Sequence, residues 1–93
     1  MWTWLKNRLA RTRHARREVV VYSRSGCHLC DEACELLRQH GLRPKTIDID
    51  ADAALRERFT HCVPVVFLDG HERFRGRVNP VLLQRLLRHP PTA

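Results

Sequence analysis

A run of apolar β-formers, Val19-Val20-Val21-Tyr22, gives way within a few residues to an amphipathic helical pattern, and this juncture constrains the fold more than any other feature of the chain. Apolar side chains at consecutive rather than alternate positions read as a strand covered on both faces, in the interior of a sheet. Ser23-Arg24-Ser25-Gly26 ends the run. Leu29, Ala33, Leu36, Leu37 and His40 then recur at helical spacing, and Gly41 stands where a C-terminal cap belongs. Strand, loop, helix and a following strand make a right-handed parallel crossover.

That following strand is read at Lys45–Asp50, where Ile47 and Ile49 alternate onto one face and Pro44 favours an edge position. Asp50 or Asp52 is suited to cap a short helix ending at Phe59, with Ala51, Leu55 and Phe59 along one side. Val65-Val66-Phe67-Leu68 is a third strand. Asp69-Gly70 is a hairpin turn, returning the chain through Glu72 to Arg77 as a fourth. Asn79-Pro80 offers a cap and a proline at the first helical position, after which Leu82, Leu83, Leu86 and Leu87 form a buried face. His89-Pro90-Pro91 stops that helix. The order βαβ-α-ββα closes as an α/β domain, a four-stranded mixed sheet with helices on both faces.

Charge separates this domain, residues 18–89, from what precedes it. Residues 1–17 hold Lys6, Arg8, Arg11, Arg13, Arg16 and Arg17 and no acid, whereas the rest of the chain is nearly neutral. The basic segment permits an amphipathic helix, with Trp2, Leu5 and Leu9 on one side, that touches an anionic membrane surface weakly. It also permits non-specific phosphate contact, an organelle-targeting role, or a plain solvated extension. Specific nucleic-acid recognition is not expected, and neither is a membrane span. The longest apolar run, Val63 to Leu68, is six residues against the roughly 20 a span needs. Four cysteines are too few for a disulfide-stapled secreted scaffold, and the opening residues lack a secretory h-region. A reducing cytoplasmic setting and a monomer are the expectations.

In such a setting a close cysteine pair points to redox catalysis or metal binding. Cys27-His28-Leu29-Cys30 opens the first helix, so the Cys27 sulfur faces unpaired backbone N–H groups and the positive end of the helix dipole. Both stabilise the thiolate that attacks disulfides. Cys30 follows within about one turn and can resolve a mixed disulfide. Arg24 and His28 are placed to add positive charge. Val63-Pro64 opens a strand that otherwise reads as central, where a proline cannot donate to the ladder. A cis peptide bond is one accommodation, a trans proline ending the loop the other.

The run V-V-V-Y-S-R-S-G-C-H-L-C-D-E-A, with V-P-V-V-F-L-D-G some 30 residues later, resembles the glutaredoxin-like branch of the thioredoxin superfamily from residue 18 to about 88. The resemblance implies a thioredoxin fold, Cys27 as nucleophile and Cys30 as resolving thiol. It further implies a cis Val63–Pro64 bond facing the pair, with the Val63 backbone pairing with the bound thiol substrate. The expected activity is thiol–disulfide exchange on a protein or small-molecule disulfide, with glutathione as a possible co-substrate and no bound cofactor or metal. Glutaredoxins usually carry Pro and an aromatic residue between the cysteines, where this chain has His28 and Leu29. Arg24 replaces their usual Lys. Gly76 is the one glycine left of a paired-glycine and Asp motif that holds the γ-glutamyl end of glutathione. Its neighbours Arg75 and Arg77 either attract an acidic peptide or belong to a solvated edge strand. Cys34 reads as a buried small apolar residue. Cys62 stands beside Val63-Pro64 where the family usually has Thr. It gives the alternative reading, a metal or iron–sulfur module built on Cys27, Cys30 and Cys62, with His28 or His61 completing a zinc set.

Overall fold

The computed structural model describes residues 17–59 and 63–88. The expectations for residues 1–16, for His61 and Cys62 and for residues 89–93 fall outside them. In chain order the elements are β1 (Val19–Ser23), α1 (His28–Gln39), β2 (Lys45–Asp48), a 3-10 turn (Ile49–Ala51), α2 (Ala53–Phe59), β3 (Val65–Leu68), β4 (His71–Arg75) and α3 (Pro80–Arg88). The sheet runs β2-β1-β3-β4, with β2 parallel to β1, and β3 antiparallel to both β1 and β4. The most continuous apolar run is thus interior, and the strand that follows Pro44 is an edge.

Alternation along the strands divides the core into two layers. Val19, Val21, Val66, Leu68 and Phe74 face one side, where Cys34 and Leu37 of α1 and Leu83 of α3 cover them. Val65, with half-buried Tyr22 and Phe67, faces the other, against Phe59 of α2 and Ile49. Tyr22 stacks on Phe59 at 4.8 Å between centroids and meets Phe67 edge-on at 5.4 Å.

The punctuation residues act as their chemistry dictates. Gly41 takes φ +81°, its N–H donates to the Arg38 carbonyl and that of Leu42 to Leu37, the paired bonds that close a helix through a left-handed residue. Asp69 and Gly70 both have positive φ, the twist-matched hairpin turn. Asp69 also ties the start of β1 to this turn, accepting from Arg17 Nε at 2.6 Å and from the Glu18 amide at 3.0 Å. Asn79 Oδ1 caps α3 by accepting from Val81 and Leu82.

Four expectations are corrected. The second strand stops at Asp48, whose carboxylate accepts the Asp50 amide and turns the chain into the 3-10 turn, so Ile49 is fully buried while Ile47 is only half-buried. This turn also takes Ala51 out of the short helix, which Asp52 caps through the amides of Ala54 and Leu55. The fourth strand is His71–Arg75, because Gly76 at φ +79° bends the chain and Arg77 leaves the ladder. Leu82 is 42% exposed, since it lies about 100° around the helix from fully buried Leu83.

Candidate active site

The sheet order brings three chain segments to one end of the molecule. The exit of β1, the entry of β3 and the exit of β4 meet there, because Tyr22 pairs with Val65 and Val65 with Arg75. Arg24 to Cys27 forms a tight turn closed by the Cys27 N–H donating to the Arg24 carbonyl at 3.3 Å. Gly26 supplies the φ of +76° that this turn requires and that a side chain resists.

Cys27 emerges from the turn as the N-cap of α1, in an extended conformation, and its Sγ accepts the backbone N–H of Cys30 at 3.1 Å. A sulfur thus takes the place usually filled by a Ser or Asp oxygen, satisfying one of the amides a helix leaves open. Cys27 is half-buried and reachable; Cys30 is 4% exposed. Burial is the largest cause that pushes the Cys30 thiol up to about 12, and the hydrogen bond and charge of Cys27 act in the same direction. Cys34, four residues on, is buried in the core and its thiol is also raised, first by burial. All three sulfurs are free thiols. Burial and the upward shift of its thiol keep Cys30 protonated and shielded at about pH 8. Iodoacetamide at that pH therefore labels Cys27 at least about tenfold ahead of Cys30, as peptide mass spectrometry will read, and Cys30 labelling grows only toward strongly alkaline pH.

The Val63–Pro64 peptide is cis, Pro64 is buried and Val63 half-buried. The Pro64 carbonyl accepts the Gly76 N–H at 2.8 Å, so the proline loop and the exit of β4 are fastened together at this end. Gly76 also lines a groove of about 130 Å³ with Arg77 and Val78 on one wall and Leu29, Glu32, Ala33 and Leu36 of α1 on the other. His28 is exposed on the first turn of α1. Cys27, Cys30, Val63, Pro64 and Gly76 therefore belong to one region.

Arg24, expected as a positive charge near Cys27, is paired with an acid. Its Nε and Nη2 donate to the two carboxylate oxygens of Asp50, at 2.8 and 2.9 Å. The Arg24 hydrogen bond is the main reason the Asp50 carboxyl is held below its ordinary range. Arg75 is likewise forked onto Glu72, at 2.9 and 2.7 Å, and its guanidinium lies 6.0 Å from the Phe59 ring centre, whereas Arg77 turns to the groove. Sequence reasoning missed Asp50 and the α1 wall of the groove. Asp50 is 26 positions from Arg24, and no local pattern signals the pairing. The Cys27, Cys30 and Cys62 set of the alternative reading cannot be assembled from the described residues. Among these, no group of three His, Cys, Asp or Glu side chains is placed to hold a metal.

A four-stranded mixed sheet ordered β2-β1-β3-β4, with helices and a C-x-x-C pair opening the first of them, defines a thioredoxin-fold protein. Within that class the chain belongs to the glutaredoxin-like domain family (DUF836), whose model matches residues 18–88. It is 33% identical to target protein XcR50 from X. campestris, with 78% of this chain and 99% of that one covered at a TM-score of 0.66. The glutaredoxin of Archaeoglobus fulgidus shares the fold at 24% identity, covering 80% of this chain and 89% of that one, TM-score 0.58. So does buckwheat glutaredoxin, solved with glutathione, at 23% identity, 94% and 82% coverage and a TM-score of 0.55. No curated protein matches the chain.

Proposed function

We propose that this chain is a dithiol–disulfide oxidoreductase with Cys27 as nucleophile and Cys30 as resolving thiol. The observation that carries the reading is the Cys27 sulfur standing as helix N-cap and accepting the Cys30 amide hydrogen at 3.1 Å. An anion there gains hydrogen bonds and the helix dipole without rearrangement of the backbone.

The chemistry runs in two displacements. The Cys27 thiolate attacks one sulfur of a substrate R–S–S–R′, forming Cys27–S–S–R as R′–S⁻ departs and takes a proton from water. While Cys27 is anionic, its charge and hydrogen bond help keep Cys30 a thiol. Conversion of Cys27 to the mixed disulfide removes that negative charge and so eases loss of the Cys30 proton to water. The Cys30 thiolate then attacks Cys27 Sγ, the Cys27–Cys30 bond forms and R–S⁻ leaves. The substrate gains two electrons and the cysteine pair loses them; the pair releases the Cys30 proton to water, and the two departing thiolates take their protons from water. An external thiol, with glutathione the candidate, returns the pair to the dithiol. Backbone groups of Val63 beside cis-Pro64 hold the substrate thiol in extended pairing, with the groove at Leu29, Gly76 and Arg77 receiving the adjoining part of the substrate. The substrate is a protein or small-molecule disulfide in the cytoplasm.

A Cys30→Ser variant exposed to bis(2-hydroxyethyl) disulfide accumulates one mercaptoethanol adduct, located by peptide mass spectrometry on Cys27. An adduct distributed over Cys34 and Cys62 with none on Cys27 contradicts the assignment of the nucleophile.

A further inference from the structure

Asp50 has no part in the two displacements, yet it holds the side chain of the first residue of the turn that presents Cys27. Arg24 begins that turn, and its carbonyl accepts the Cys27 N–H. The four residues of such a turn bring its end Cα atoms to within about 7 Å, so Arg24 and Cys27 stand at the same end of the sheet. Asp50 arrives from the parallel neighbour. Ser23 at the exit of β1 pairs with Asp48 at the exit of β2, and the 3-10 turn carries Asp50 two residues further at the same end of the sheet. Both nitrogens of the Arg24 fork donate to its carboxylate.

A planar guanidinium recognises a carboxylate through this two-bond geometry, whether the carboxylate belongs to the protein or to a ligand. The pair is also open to solvent, with Arg24 35% and Asp50 39% exposed, so an incoming anion has access to it. The other charges here are Asp48, whose carboxylate accepts the Asp50 amide, and Arg56, which acts on Asp50 from α2.

We infer that Asp50 is a specificity-determining residue, an internal carboxylate that occupies Arg24 and makes the exchange site favour neutral over carboxylate-bearing disulfides. This rests on the disulfide-exchange reading above. An anionic substrate reaching Cys27 meets a guanidinium whose charge is already balanced, and to use the fork it must displace Asp50. A neutral disulfide loses nothing by the pairing.

The test measures oxidation of the reduced full chain by two probes, neutral bis(2-hydroxyethyl) disulfide and dianionic dithiodiglycolate, at low salt and at about 0.5 M salt. Asp50→Asn keeps the shape and one acceptor for Arg24 while removing the charge, and loss of an exposed pair of this kind leaves folding nearly unchanged. Expected is an anionic-to-neutral rate ratio about three to ten times that of the natural chain at low salt, shrinking at high salt. Arg24→Gln lowers the ratio, and adding Asp50→Asn to Arg24→Gln produces no further gain. An unchanged ratio with both rates falling together makes Asp50 only a clamp on the turn and overturns the inference. So does a gain that persists without Arg24. Failure of the natural chain to react with the neutral probe defeats the exchange reading itself, and the inference with it.

Discussion

Cys27→Ser abolishes disulfide exchange, with turnover falling by about three orders of magnitude or more, because a serine hydroxyl at that N-cap is neither ionised nor nucleophilic toward sulfur. The fold survives the change. Serine is a good N-cap, and its oxygen accepts the Cys30 amide hydrogen as the sulfur does. Circular dichroism and the denaturation midpoint therefore stay close to those of the parent while activity vanishes. Cys30→Ser behaves differently. It leaves the first displacement intact and stalls the second, so a burst of one thiol released per chain precedes slow turnover. Equal partial losses from the two substitutions contradict the division of roles.

Phe59→Ala is the largest expected loss of stability, about 3–5 kcal/mol out of a total of about 5–15 for a domain of this class. Phe59 is fully buried, stacked on Tyr22, 6.5 Å from Phe67 between centroids, and capped by the Arg58 guanidinium 4.9 Å above its ring. The second core layer has few residues, so its neighbours cannot close the vacancy. Urea unfolding measures the loss directly. A double-mutant cycle with Tyr22→Ala shows a coupling of about 0.5–1.5 kcal/mol, the part assigned to the stacked pair. A loss under about 1 kcal/mol means that α2 does not hold this face of the sheet.

The parts legible in the sequence are those that local chemistry decides. Consecutive valines in β1, the glycine ending α1, Asp69-Gly70 and Asn79-Pro80 each specify a backbone conformation within a few residues, and each adopts it. Cys27 as N-cap was legible for the same reason. Strand ends were not. Whether Lys45–Asp50 runs on as a strand depends on the Asp48 carboxylate folding back onto the Asp50 amide, a competition that alternation alone does not reveal. The pairing of Arg24 was not legible, because Asp50 becomes its neighbour only once β2 lies parallel to β1. The groove was equally hidden, since it exists only where α1 meets the Gly76–Val78 bend.

A dithiol–disulfide oxidoreductase of this kind requires Cys27 and Cys30 to form a reversible two-electron couple. Equilibrating the chain in glutathione buffers of graded ratio and scoring the Cys27–Cys30 bond by thiol-trapping mass spectrometry tests it most directly. Expected is a single transition with two-electron slope, at a potential within the range of about −270 to −120 mV spanned by thioredoxin-fold exchangers. A pair that stays dithiol through the most oxidising buffer, or a disulfide that forms only with Cys34 or Cys62, contradicts it.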